Sequence, residues 1–243
     1  MHREIHSWWS SRMNQEMPIA VYGHYGFALL MFPTAAADFL EYERFYLIDT
    51  IADFINAGKV KVFSINSLGN EGWFNDNLPP QHRSYRHQQY NEYVVNEVVP
   101  FIHHHCHDRV LTINSGASVG ALHSVNMLFR RPDLFDGTIA MSGHYDLQYY
   151  TRGYYDDNVY FNSPKAYMPN LTDEHILNAL RHKQHIYILS GQGAYEAPHS
   201  SRDLSGILSS KGIPHHLDLW GHDMTHDWPT WRKMLPHYLG TRF

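Results

Sequence analysis

The segment Gly116-Ala117-Ser118-Val119-Gly120 constrains this chain more than any other. It is a G-x-S-x-G pattern in an informative setting. Arg109-Val110-Leu111-Thr112-Ile113 before it is apolar and β-branched, of strand type, and Ala121 to Phe129 after it suits a helix. Strand, sharp turn, helix is the context in which this pattern forms a nucleophile elbow. Such a turn forces the serine backbone into a strained conformation. Side chains at the flanking positions would collide with the adjoining strand and helix, which explains the glycines. The hydroxyl then stands at a helix N-terminus, where backbone N–H groups face developing negative charge. A structural turn serine is the competing reading, and the context favours Ser118 as a nucleophile.

A nucleophilic serine needs a base, and the base needs an orienting acid. In this class of fold they follow in the order serine, acid, histidine. Ile186 to Ser190 reads as a strand entering a glycine turn, with Glu196 a few residues on. His215 to Trp220 reads as a further strand, ending in Gly221-His222-Asp223-Met224-Thr225-His226-Asp227-Trp228. Acid and base therefore fall on loops at carboxyl ends of strands, where open α/β sheets place their sites. His226 is the favoured base, directly ahead of a closing helix, with His222 the alternative. Glu196 is the favoured acid. Asp146, after the preceding strand, is its rival, whereas Asp203 falls in a helix and Asp218 inside a strand.

Along the chain, strand and helix patterns alternate. Glu4 to Tyr22 reads as edge strands with a turn near Asn14, and Phe27 to Phe32 as a central strand buried on both faces. Asp38 to Asn56 carries helical spacing, Lys59 to Ile65 is a strand, and Arg83 to His104 is a long helix. Beyond the elbow come a strand over 137–142, a tyrosine-rich insertion over 147–180, a strand at 186–190, a helix at 199–211, a strand at 215–220 and a closing helix from about 228 to 239. This order predicts an α/β fold with a mostly parallel central sheet and helices on both faces. A chain of 243 residues fits one such domain, 1–243.

The chain resembles the Putative esterase family of α/β-hydrolases, the group with esterase D-like and mycolyltransferase-like enzymes. The matching stretches are Gly116 to Gly120, Gly191 to Glu196, Gly221-His222-Asp223-x-x-His226-Asp227-Trp228-x-x-Trp231, and the helix Tyr90 to Ile102. The likeness runs from about residue 20 to the C-terminus. It implies the α/β-hydrolase fold and a serine carboxylesterase acting on a small or medium ester through Ser118, Glu196 and His226. Where the family has His-Gly after the strand that builds the oxyanion hole, this chain reads Phe32-Pro33-Thr34-Ala35. One oxyanion donor is expected to be the Val119 amide. The second comes from that loop, Ala35 ahead of Thr34, since Pro33 has no N–H.

Trp73 and Phe74 follow a strand end and are expected to touch substrate, or else to pack their loop. Tyr149 and its neighbours suit a half-wet pocket wall or a contact between two copies, so a homodimer is an open expectation. Acyl transfer with the same triad, a thioesterase or lactonase, and a non-catalytic binding protein on a hydrolase fold are the alternative functions. Net charge is −5, with no basic concentration of the kind that binds nucleic acid. No stretch is apolar for long enough to span a bilayer. The start of the chain lacks a signal-peptide apolar core, and there is one cysteine, Cys106, so a cytoplasmic location is expected. Asn170-Leu171-Thr172 is a glycosylation sequon only on a secretory route. His103-His104-His105-Cys106-His107 is the sole biased run. Consecutive residues at a helix end point in different directions, so the run reads as a solvated terminus. No metal site and no cofactor are expected.

Overall fold

Continuous apolar strands can bury both faces only inside a sheet covered on each side. The computed structural model, which describes residues 1–35 and 37–243, builds such a sheet from β1 (Arg3–Ser10), β2 (Gln15–Tyr22), β3 (Phe27–Phe32), β4 (Val60–Ile65), β5 (Thr112–Ala117), β6 (Gly137–Met141), β7 (His185–Ser190) and β8 (His216–Leu219). The strands lie in the order β1-β2-β4-β3-β5-β6-β7-β8. All pairs from β4 to β8 are parallel, while β1 and β2 form an antiparallel hairpin at one edge. Its turn places Asn14 at φ 50°, a left-handed conformation that asparagine tolerates. On β3 the two-residue period sends Ala28, Leu30 and Phe32 to one core and Leu29 and Met31 to the other.

Helices complete three layers. The second core lies beneath α1 (Glu41–Arg44), α2 (Leu47–Thr50) and α3 (Ala52–Asn56), together with the last helix of the chain. The expected single helix over 38–56 is thus three short pieces. Leu47, Ile48, Ile51 and Ile55 keep their helical spacing toward the sheet, but Tyr46 turns left-handed at φ 60° and interrupts the ladder. On the opposite face, α4 (Pro80–Tyr93) continues through one π-turn (Val94–Val98) into α5 (Val99–His105). Pro100 brings no N–H to the turn before it, and a wider π-turn there accommodates the lost bond. Next come α6 (Val119–Arg130), then α7 (Gln148–Thr151), α8 (Asp157–Phe161), α9 (Pro164–Tyr167) and α10 (Glu174–Arg181), which make up the tyrosine-rich segment. α11 (Pro198–Ser210) and α12 (Trp228–Arg242) follow. Trp231, Met234 and Leu235 of α12 pack onto the second core.

Candidate active site

β5 begins later than its sequence predicts, at Thr112, and runs straight to Ala117 beside the serine. Ser118 sits at φ 57° and ψ −119°, outside the regions an L-residue prefers, and α6 starts at Val119. The backbone is held there by the Ser118 amide donating to the Met141 carbonyl at 2.9 Å. Both glycines are required by space. A Cβ on Gly116 would lie 2.5 Å from the Gly120 carbonyl carbon, and one on Gly120 would lie 2.2 Å from the Phe32 carbonyl oxygen.

Ser118 lines a cleft of about 830 Å³ with Ala35, Phe74, Tyr149, Glu196 and His226. The loops carrying Glu196 and His226 nest against each other. The Gly193 amide donates to the Met224 carbonyl at 2.8 Å and the His226 amide to the Ala194 carbonyl at 3.1 Å. Gly191 and Gly193 permit the approach, since a Cβ on Gly191 would stand 2.1 Å from the Met224 oxygen. The Glu196 side chain is wholly buried, and its Oε2 lies 3.5 Å from His226 Nδ1. Ser142 Oγ donates to Oε1 at 2.6 Å, and Ser190 Oγ lies 3.2 Å from Oε2. Burial alone would raise the Glu196 pKa; the polar contacts to His226 and Ser142 outweigh it and hold the carboxyl below its usual range. Trp231 Nε1 donates to Ser142 Oγ at 3.0 Å, and the Trp231 ring meets His226 edge-on at 5.3 Å.

The competing residues are occupied differently. Asp146 borders the cleft, but its carboxylate accepts the Gln148 amide at 2.9 Å at the start of α7. Asp203 pairs with Lys165 at 2.6 Å, and Asp218 accepts from Trp220 Nε1 and Tyr238 OH, both at 2.9 Å. His222 is exposed, its Nδ1 lying 3.2 Å from the Gln192 carbonyl. On the Phe32–Ala35 loop the Thr34 amide donates to the buried Glu41 carboxylate at 2.9 Å, while Ala35 faces the cleft. Among the described residues no group of three metal-ligating side chains lies in the cleft.

Of the aromatic candidates, Phe74 and Tyr149 line the cleft, and Tyr149 stacks on His144 at 4.0 Å. Burial, followed by the charges of His199, His226 and Lys165, lowers the His144 pKa against the opposing pull of Glu196. Trp73 is 6% exposed and packs with Leu122, Leu147 and Val159, its Nε1 donating to His87 Nδ1 at 3.1 Å. It borders a hollow of about 20 Å³ beside Ala35 and Val119 rather than the main cleft. Sequence reading overlooked His144, Ser142 and Ser190. The last two had one signal available: Ser190 ends β7 and Ser142 directly follows β6, at strand ends whose loops already carried the candidate acids.

His123 of α6 stacks on His87 at 4.7 Å beneath that hollow. Burial drives the His123 pKa from 6.5 to about 4, and burial with the His123 and Arg130 charges drives that of His87 well down. The unfolded chain therefore binds protons first. Stability is intact above pH about 6.5 and falls as the pH drops toward 4. Urea unfolding of the wild type at pH 7 and pH 5 should show a loss from His123 of about 2 kcal/mol. His123→Phe should lack that portion; an equal acid loss in the variant would refute the assignment.

No helix among the described residues is long and apolar enough to cross a membrane. Residues 10–241 match the family model described as "Putative esterase". No curated protein matches the chain by sequence. Among solved structures, it is similar to a ferulic acid esterase, with 17% identity over 98% of this chain and 96% of that one, at a TM-score of 0.75. It is similar to MPT51 (FbpC1) of Mycobacterium tuberculosis, with 16% identity, 99% and 97% coverage, and a TM-score of 0.71. S-formylglutathione hydrolase (FrmB) of Staphylococcus aureus is another, with 16% identity, 99% and 98% coverage, and a TM-score of 0.67. At such identities the shared property is the fold, which agrees with the expected mostly parallel sheet covered on both faces. The chain belongs to the Putative esterase family, and its enzyme class is that of the carboxylic ester hydrolases.

Proposed function

We propose that the protein is a serine carboxylesterase for small or medium esters, working through Ser118, His226 and Glu196. The observation that carries this reading is the meeting of the strained elbow serine and His226 in one cleft, with the buried Glu196 carboxylate 3.5 Å behind His226 Nδ1. His226 takes the Ser118 proton as Oγ attacks the ester carbonyl. The oxyanion of the tetrahedral intermediate is held by the Val119 and Ala35 amides. Ala35 is preferred to Thr34 because the Thr34 amide is already engaged by Glu41, and Pro33 has none to give. His226 then passes the proton to the leaving alcohol, breaking the C–O bond and leaving an acyl-Ser118. Water, deprotonated by His226, releases the acid. Glu196 fixes the His226 tautomer and balances the transient imidazolium. The 3.5 Å separation is longer than a good hydrogen bond, as is common before substrate tightens a site. Phe74 and Tyr149, at the open side of the cleft, flank the ester, and Trp73 supports the loop behind the oxyanion amides.

Intact mass after treatment with a fluorophosphonate tests the nucleophile: one adduct on the wild type, none on Ser118→Ala. Unmodified, folded wild type would sink the proposal. The acid is tested by rate. Glu196→Gln should lower kcat for a p-nitrophenyl ester by about 10²–10⁴-fold, and Asp146→Asn by less than about threefold. The reverse ranking would transfer the acid role to Asp146.

A further inference from the structure

The histidine run at the end of α5 contributes nothing to the cleft, yet one of its members meets a second set of donors. β1 alternates, so Glu4 and His6 share the face turned toward α5, while Arg3, Ile5 and Ser7 point to solvent. His105 Nε2 lies 3.0 Å from Glu4 Oε2, and His6 Nε2 lies 2.6 Å from the same oxygen. His2 Nε2 contacts the other carboxylate oxygen, Oε1. The chain is tied down even there, because the Gly23 amide donates to the His2 carbonyl at 2.9 Å. Three imidazoles thus converge on one carboxylate, all through Nε2.

We propose that Glu4, His6 and His105 form a binding site for a divalent transition-metal ion, zinc being the best suited, with His2 available as a fourth ligand. The nitrogen and carboxylate donors match the preference of Zn²⁺ for imidazole and carboxylate ligands. Their ligand atoms lie within 4.8 Å of one another. A tetrahedral ion with bonds of about 2.1 Å needs its ligands about 3.4 Å apart, so small side-chain rotations suffice. Glu4 and His6 are about one third exposed, which leaves room for these rotations and a path for the ion. His105 is held more firmly. Its ring packs against Phe63, Phe101 and His6, and only 15% of its side chain is exposed. Its Nδ1 is buried without a hydrogen-bond partner and would carry the proton once Nε2 binds metal. That cost makes the affinity lower than that of a site whose second imidazole nitrogen is hydrogen-bonded.

The site is separate from catalysis. β2, β4 and β3 intervene between β1 and the elbow strand, a distance of roughly 19 Å across the sheet. An ion there would cross-link the exposed edge strand to the helix covering it, an edge otherwise open to pairing with another chain. The test is zinc titration of chelator-treated protein by calorimetry, with thermal unfolding in parallel. Wild type should bind one equivalent of Zn²⁺ and melt a few degrees higher with it. Glu4→Gln and His105→Ala should each weaken binding at least tenfold and lose the thermal shift, whereas His104→Ala, an exposed neighbour in the same run, should keep both. Absence of binding by the wild type, or zinc binding unchanged in Glu4→Gln and His105→Ala, would overturn the proposal. Because the readout is metal uptake, either result stands apart from the esterase assignment.

Discussion

Ser118→Ala should lower kcat/KM for an activated ester by about 10⁴-fold or more, while circular dichroism and the melting temperature stay close to wild type. The size follows from the unit character of a triad, in which losing the nucleophile costs nearly as much as losing all its members. The small structural effect follows from the backbone. Ser118 holds φ 57° because the Ser118 amide bonds the Met141 carbonyl and because α6 begins at the next residue, and neither depends on its side chain. Alanine inherits the strain without adding to it. Progress curves at high enzyme concentration give the residual rate. Activity within tenfold of wild type would place the chemistry elsewhere.

Gly120→Ala should be severely damaging for a change of one methyl group. Its Cβ would come within 2.2 Å of the Phe32 carbonyl oxygen and 2.7 Å of the Pro33 oxygen, both backbone atoms that cannot rotate away. Relief requires α6 to move off β3, which opens the core beneath the elbow. The expected cost is about 3 kcal/mol or more, a fall in melting temperature of roughly 10 °C. Activity should fall further than stability, because the shift separates the Phe32–Ala35 loop from the elbow. Gly206→Ala is the matched control: nothing lies within 4 Å of its added Cβ, and it sits inside α11. There alanine should stabilise by about 0.5–1 kcal/mol. A harmless Gly120→Ala in thermal melts would mean that the elbow tolerates displacement, contrary to the packing described.

Much of this arrangement could be read directly from the chain. β3 spans Phe27–Phe32 as its unbroken apolar run predicts, since a strand buried on both faces admits no polar alternation to blur its limits. The elbow was legible because two glycines at fixed spacing answer to backbone collisions only a few residues apart. Glu196 and His226 could be placed on converging loops because strand ends in a parallel sheet all emerge on one side. What stayed hidden depends on distant partners. Ser142 meets Glu196 across 54 residues and Trp231 across 89, and no local pattern encodes such pairings. Tyr46 breaks a segment whose apolar spacing alone is that of one helix. The grouping around Glu4 escaped for the same reason, His105 lying 101 residues away, so a run read only along its own helix shows a solvated end.

The link from Trp231 through Ser142 to Glu196 gives the last helix a second role. α12 covers the core, but it also supplies the hydrogen that orients the hydroxyl bound to the buried acid. Packing of α12 on the sheet and the setting of the Glu196 carboxylate are therefore coupled. Loosening α12 would free the Ser142 hydroxyl to turn away from Glu196 and leave that buried carboxylate one hydrogen bond short.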